Sequence, residues 1–331
     1  MKKFVNSPDA AVDEAVAGFV VAHADLVRLD AENRVIVRRD PLPPGRVALV
    51  SGGGSGHEPL HAGFVGDGML AAAVLGDVFA SPTADQVLAA VEAVDAGAGV
   101  LLIIKNYTGD VLNFRLAAEL AEELDVRVRT LVVDDDVAVG ERGGRPGRRG
   151  TGATLFVEKI LGARAAQGAS LDELVELGER VVAGSRSIGV ALTSCTTPMA
   201  RRPTFELGAD EAEFGVGIHG EAGARRVPMT ASREFATQMV AALLPELRPG
   251  CDSVLVLTNG LGATPPSELY TLHGDVVAVF LAAGITVTRH LVGGFVTSLD
   301  MAGASVSVLP LDEELTGLWD APVRTAALVR A

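Results

Sequence analysis

The sequence predicts an α/β protein of two domains, each a sheet flanked by helices, the first sheet mainly parallel. Three observations predict it. The chain has 331 residues, more than one hydrophobic core usually holds. Its apolar runs, Arg46 to Val50 and Val100 to Ile104 among them, do not alternate with polar residues. Strands covered on both faces by helices read this way. The 38 glycines cluster at the ends of those runs, where turns call for positive φ. The expected division is 1–184, an N-terminal α/β domain with a Gly-rich loop, and 185–331, a C-terminal α/β domain. The final residues are expected to pack back on the first domain.

Residues 8–23 read as a helix, with Pro8 near the first turn and acids at Asp9, Asp13 and Glu14. The strand at Arg46 to Val50 runs into the loop Ser51-Gly52-Gly53-Gly54-Ser55-Gly56-His57. A helix follows from Ser81-Pro82, with Ser as N-cap and Pro at the first position, through about Asp95. Val100 to Ile104 is a strand, Asn113 to Leu124 a helix, and Val126 to Val133 a strand. Helices are expected near 151–166 and 170–183, the second opened by the capping box Ser170-Leu171-Asp172-Glu173. Gly184 to Gly189 marks the boundary. The second half carries strands at 188–194, 214–219, 253–258, 285–291 and 304–309, with helices at 233–244 and 266–283. Glu141 to Arg149 is the most basic segment and is expected to be a flexible surface loop that could meet a partner.

Composition narrows the function. With 48% hydrophobic and 21% charged residues the chain is globular rather than disordered. No stretch reaches the roughly 18 apolar residues of a membrane span. Asn6-Ser7-Pro8-Asp9 cuts short any signal-like start, so a cytoplasmic protein away from membranes is expected. A net charge of −14 argues against nucleic acid, whose phosphates need Lys and Arg. Cys195 and Cys251 make neither a disulfide framework nor a zinc site. No metal is expected, and His57 and His61 are not read as a zincin ligand pair.

Three segments could carry chemistry. The loop at 51–57 follows a strand, where open α/β sheets bind ligands. It lacks the Lys-Ser/Thr of a P-loop and does not fit G-x-G-x-x-G, so a structural turn and a ligand cradle both stand. His57, Glu58 and His61 sit where it ends. Lys105-Asn106-Tyr107-Thr108-Gly109-Asp110 also follows an apolar strand, and such polar groups are costly there unless they face a cleft. Asp110 fits a general base, the N-cap of a helix starting near Val111, or both. In Glu213 to Glu221, glycines flank His219 and give it close access. His219 is a nucleophile or acid/base candidate beside the alternative of a hydrogen-bonded core His. His23, His273 and His290 are read as structural or surface residues.

Ser51 to Pro59, Leu102 to Asp110, Val132 to Val139, Phe214 to Glu221, Leu261 to Pro265 and Thr297 to Met301 together resemble the K subunit of dihydroxyacetone kinases. The likeness runs through essentially the whole chain, in order. It implies that dihydroxyacetone is held covalently, as a hemiaminal on His219. It implies that Gly54, Ser55, Gly56, His57, Lys105 and Asp110 surround the substrate, and that His57 and Asp110 act on the hydroxyl that receives the phosphoryl group. No cofactor is expected on this chain; nucleotide and magnesium belong on a separate L subunit. That partner is expected because the chain ends soon after Leu318 to Pro322, without room for an L domain. The resemblance also implies a homodimer. Two other functions fit it: a dihydroxyacetone sensor or co-regulator without turnover, and a kinase subunit for a related ketose such as erythrulose.

Overall fold

In chain order the elements begin α1 (Ala11–Ala22), β1 (Val27–Asp30), β2 (Val35–Arg38), β3 (Ala48–Ser55), β4 (Gly66–Asp67) and β5 (Ala72–Val78). There follow α2 (Ala84–Val94), β6 (Val100–Lys105), α3 (Thr108–Glu123), β7 (Val128–Val133), α4 (Ala153–Ala166) and α5 (Leu171–Gly184). Next come β8 (Arg186–Ala191), β9 (Glu211–Phe214), β10 (Arg225–Pro228), α6 (Ser232–Leu243), β11 (Ser253–Gly260) and α7 (Pro266–Ala282). Last are β12 (Thr286–Gly293), β13 (Gly303–Pro310), α8 (Glu313–Asp320), β14 (Val323–Thr325) and β15 (Val329–Arg330). The computed structural model describes residues 2–140, 147–200 and 202–331.

These elements form two compact units. The first holds residues 2–133, 154–181 and 315–331; the second holds the described residues of 134–153 and 182–314. Each unit is therefore discontinuous in sequence, whereas a single boundary near 184 divides the chain once. Within the first unit, 315–331 contributes β14, which pairs with β4 on one side and with β15 on the other in a small three-stranded sheet.

The main sheet of the first unit runs β1-β2-β5-β3-β6-β7. Its first two pairings are antiparallel and its last three parallel, so it is mainly parallel, as the unbroken apolar runs predict. One face is closed by α2 and α3. Val87, Ala90, Val91 and Val94 of α2 and Phe114, Ala117 and Ala121 of α3 recur at helical spacing and pack on Val50, Val74, Leu102 and Ile104. Each such Val, Leu or Phe, buried from water, stabilises by about 1.5–3 kcal/mol before entropy is set against it. The sheet of the second unit runs β10-β9-β8-β13-β11-β12. Only β11 and β12 pair in parallel there. Phe235, Met239 and Val240 of α6 and Val276 and Phe280 of α7 pack on it.

Several starts and stops differ from expectation. β3 continues through the glycine run to Ser55, because β5 offers ladder partners as far as Ser55, although the pairing with β6 stops at Ser51. α2 is capped by Thr83, not Ser81, in a capping box closed by Gln86. α3 starts at Thr108, five residues before the expected Asn113, so Asp110 lies in its first turn and is not the N-cap. β9 ends at Phe214, which leaves His219 in the loop beyond it. The capping box at Ser170 forms as read: its N–H donates to Glu173 Oε2 at 2.8 Å, and Glu173 N–H donates to Ser170 Oγ at 3.4 Å. Residues 141–146 of the expected basic loop lie outside the described residues. Arg148, just after them, is buried rather than free at the surface, with Nη2 3.0 Å from Glu246 Oε1. Cys195 is buried and Cys251 half-buried, and neither forms a disulfide. Among the described residues no helix is long and apolar enough to cross a membrane.

α4 carries two ionisable residues, Glu158 and Lys159, inside the apolar run Leu155 to Leu161, and both are buried. Lys159 Nζ donates to Leu318 O at 2.9 Å, near the C-terminus of α8, where a cation is favoured. Burial, with Arg330 nearby, still pushes its ammonium from an ordinary 10.5 down to about 8. The folded chain therefore binds this proton less tightly than the unfolded chain, and stability rises as pH climbs from about 8 toward 10.5. Denaturant midpoints measured across that window should rise in the wild type, and that rise should flatten in Lys159→Met.

Candidate functional site

The sheet order sets β3 beside β6 in parallel, so the ends at Ser55 and Lys105 emerge at one edge. That is where open α/β sheets place ligands. Lys105 is fully buried. Its Nζ donates to Gly52 O at 2.9 Å, stands 2.8 Å from His61 Nε2, and lies 3.7 Å from Asp110 Oδ2. Asp110 is buried in the first turn of α3, where the helix dipole favours an anion.

The glycines make this approach possible. Gly53 has φ +152°, and a Cβ built on it would overlap Lys105 Nζ and sit 3.3 Å from Asp110 Oδ2. Ser55 Oγ donates to Gly76 O at 2.7 Å, which ties the end of β3 to β5. Gly56 N–H faces the Glu58 carboxylate at 2.9 and 3.1 Å. His57 is buried and stacks on Phe79, ring centroids 5.2 Å apart. Gly54, Ser55, Gly56, His57, Lys105 and Asp110 thus belong to one edge of one sheet.

Behind them stand two residues not counted among the expected site. His61 Nδ1 lies 2.6 Å from Glu158 Oε1, and both side chains are buried. Burial, helped by the Lys105 charge, holds His61 well below its ordinary pKa, so its ring is neutral. Burial likewise pushes Lys105 down, against the pull of Asp110 and Glu158, and pushes Glu158 well up, against the pull of Lys105. His61 was visible beside His57 in the sequence. The signal for Glu158 was an acid inside an apolar helical run.

His57-Glu58-Pro59-Leu60-His61 spells H-E-x-x-H, a spacing the sequence reading discounts. Zincin chemistry needs those histidines on one helical face. Here no α-helix forms across 57–61, and His61 is engaged by Lys105 and Glu158 instead. Among the described residues no group of three or more His, Cys, Asp or Glu gathers to hold a metal ion.

His219 belongs to the second unit, half-buried in the loop after β9. Its backbone N–H donates to Glu221 Oε2 at 2.8 Å. Arg149 fastens the same loop: Nη1 donates to Glu221 Oε1 at 2.9 Å and Nη2 to Gly215 O at 2.7 Å. Its Nε donates to Asp136 Oδ2 at 2.8 Å. Burial pushes Asp136 up to about 6, against Arg149. At Gly220 (φ +70°) a Cβ would meet Cys195 Sγ at 2.5 Å, so the backbone beyond His219 is reserved for glycine.

Comparison with known proteins adds a family. The model described as Dak1 domain matches residues 17–327. A relative from Listeria innocua, "PTS-dependent dihydroxyacetone kinase 1, dihydroxyacetone-binding subunit DhaK", is 51% identical over 99% of this chain and 100% of its own length. The crystal structure of the dihydroxyacetone kinase from C. freundii in complex with AMP-PNP and Mg2+ matches at TM-score 0.91 and 37% identity, over 99% of this chain and 61% of that one. A dihydroxyacetone kinase operon co-activator, Dha-DhaQ, matches at TM-score 0.91 and 33% identity, over 96% of this chain and 98% of that one.

Gly53→Ala tests the cradle. The methyl group forces Lys105 to move at a φ that alanine rarely adopts, an overpacking cost of about 1–3 kcal/mol. Chemical denaturation should show that loss, and it should exceed that of Gly97→Ala, a position at φ +88° with nothing within 4 Å of its Cβ.

Proposed function

The chain belongs to the Dak1 domain family, and from that premise we propose that it is the dihydroxyacetone-binding subunit of a dihydroxyacetone kinase. His219 grips the ketone: Nε2 adds to the carbonyl carbon, the C=O π pair moves to oxygen, that oxygen takes up a proton, and the ring gives up the one on Nδ1. The product is a neutral hemiaminal. Gly54, Ser55, Gly56, His57 and Lys105 surround the triose, and Asp110 receives the proton of the hydroxyl that is phosphorylated. His57 assists at the same hydroxyl. The observation that carries this reading is the buried cradle of Gly53, Lys105 and Asp110 at the ends of β3 and β6.

The phosphoryl group comes from a separate L subunit, which carries nucleotide and magnesium. The PTS-dependent relative at 51% identity favours a phosphotransferase protein over free ATP as the ultimate donor. A covalent grip explains selection: glycerol has the same hydroxyls but no electrophilic carbon, and the tethered hydroxyl is oriented for in-line attack. The chain acts in the cytoplasm, as a homodimer.

Likeness to an operon co-activator supports a second reading, ketone sensing without turnover. Turnover with the partner subunit separates the two. After borohydride trapping with dihydroxyacetone, intact mass should show an adduct on wild type and none on His219→Ala. Asp110→Asn should keep the adduct and lose phosphorylation with the L partner; retained turnover would remove Asp110 as the base.

A further inference from the structure

The buried line Lys105, His61, Glu158 has more in it than packing requires. Five ionisable groups gather here: Lys105 itself, Asp110 from α3, Glu158 from α4, and His57 and His61 from the segment after β3. The carbonyl of Gly52 on β3 completes the surroundings of Lys105. A neutral imidazole has one donor and one acceptor nitrogen. With Nδ1 2.6 Å from Glu158 and Nε2 2.8 Å from Lys105, His61 satisfies both neighbours in two proton arrangements. In one, Lys105 is an ammonium that donates to Nε2, and Nδ1–H donates to the Glu158 carboxylate. In the other, Glu158 is a carboxylic acid that donates to Nδ1, and Nε2–H donates to a Lys105 amine. Passing from one to the other moves two protons one step each, and net charge is unchanged.

We propose that Glu158 and Lys105 share one proton through the ring of His61, so that Glu158 sets the charge Lys105 presents to the substrate cradle. The shifts of the three groups agree with it: a neutral His61, an acid that holds its proton more tightly than usual, and an amine that holds its own less tightly. A buried ammonium with no counter-charge is expensive, and the relay lets the cation exist only where an anion calls for it. Asp110, 3.7 Å from Nζ, is such an anion in the resting protein. It draws the proton onto Lys105 and places His61 in the Nδ1–H form. Glu158 and His61 are positioning residues that act through Lys105, and this role rests on the cradle being the triose site.

The relay is read without turnover, in the full chain with 15N-labelled histidine, His61 being assigned with His61→Gln. Its nitrogens should report a neutral ring with Nδ1–H dominant. Asp110→Asn should move the balance toward Nε2–H. Glu158→Gln should abolish that response, because an amide cannot take up the proton that Nδ1 gives away. A ring protonated on both nitrogens, or a tautomer indifferent to Asp110→Asn, would overturn the proposal. Kinetics with the partner subunit supply the second arm. Glu158→Gln should keep the trapped adduct and its melting temperature while kcat falls roughly ten- to a hundredfold, as when an outer partner of a site ligand is removed. An unchanged kcat, or a parallel loss of adduct, kcat and melting temperature, would reduce Glu158 to a structural role. If wild type itself traps no ketone, the kinase reading fails, and the histidine spectra still judge the relay.

Discussion

An ammonium group with no exposed surface constrains the first unit more than any other group in it. Lys105 ends β6 in the interior. A cation there survives only with anions and acceptors around it, and each comes from a different element: a carbonyl from β3, a carboxylate from the first turn of α3, an imidazole from the segment after β3, and a second carboxylate from α4. β3 must therefore lie against β6, and the residue beside Nζ must lack a side chain, which is Gly53. The glycine run is thus strand that yields room to a lysine before it is a loop for a ligand.

The second unit applies the same logic at lower depth. The loop after β9 has little regular structure, and Arg149 supplies its order. One guanidinium reaches Glu221, Gly215 O and Asp136, the fixed fork that lysine cannot imitate. Glu221 in turn accepts the backbone N–H of His219. The ring of His219 is thereby presented from a backbone held on both sides, by Glu221 before its Cα and by Gly220 after it.

Much of this was legible in the residues. Unbroken apolar runs marked β3 and β6, because burial on both faces leaves no polar alternation to read, while β5, which pairs in parallel with β3, went unread. His57, Lys105, Asp110 and His219 stood out as polar groups closing apolar strands. Element starts were harder. Thr83 competes with Ser81 for the cap of α2, and the partner Gln86 decides it only once the turn is built. The short strands β1, β2 and β10 were missed, since four-residue segments carry little periodicity. Glu158 was passed over for a different reason: its partners, His61 and Lys105, lie 97 and 53 positions away, and no local pattern announces a contact at that range.

Under the proposed role, this interior charge also bears on selectivity. A pocket that held a triose by hydrogen bonds alone would find glycerol nearly as acceptable, since both present terminal hydroxyls. Adding an imidazole to a carbonyl removes that ambiguity but creates an oxygen whose electron density rises as the C–N bond forms. The surroundings must answer that charge without holding a permanent one, because a fixed buried cation would bind any anion that entered. A lysine whose proton can withdraw toward Glu158 meets both demands: it is a cation beside a charged neighbour and an amine otherwise. The acidic chain as a whole, at net charge −14, adds a second barrier to stray anions. The neutral ketone is then free to enter a cradle whose resting cation is already matched by Asp110, 3.7 Å from Nζ, and offers no unpaired charge to a stray anion.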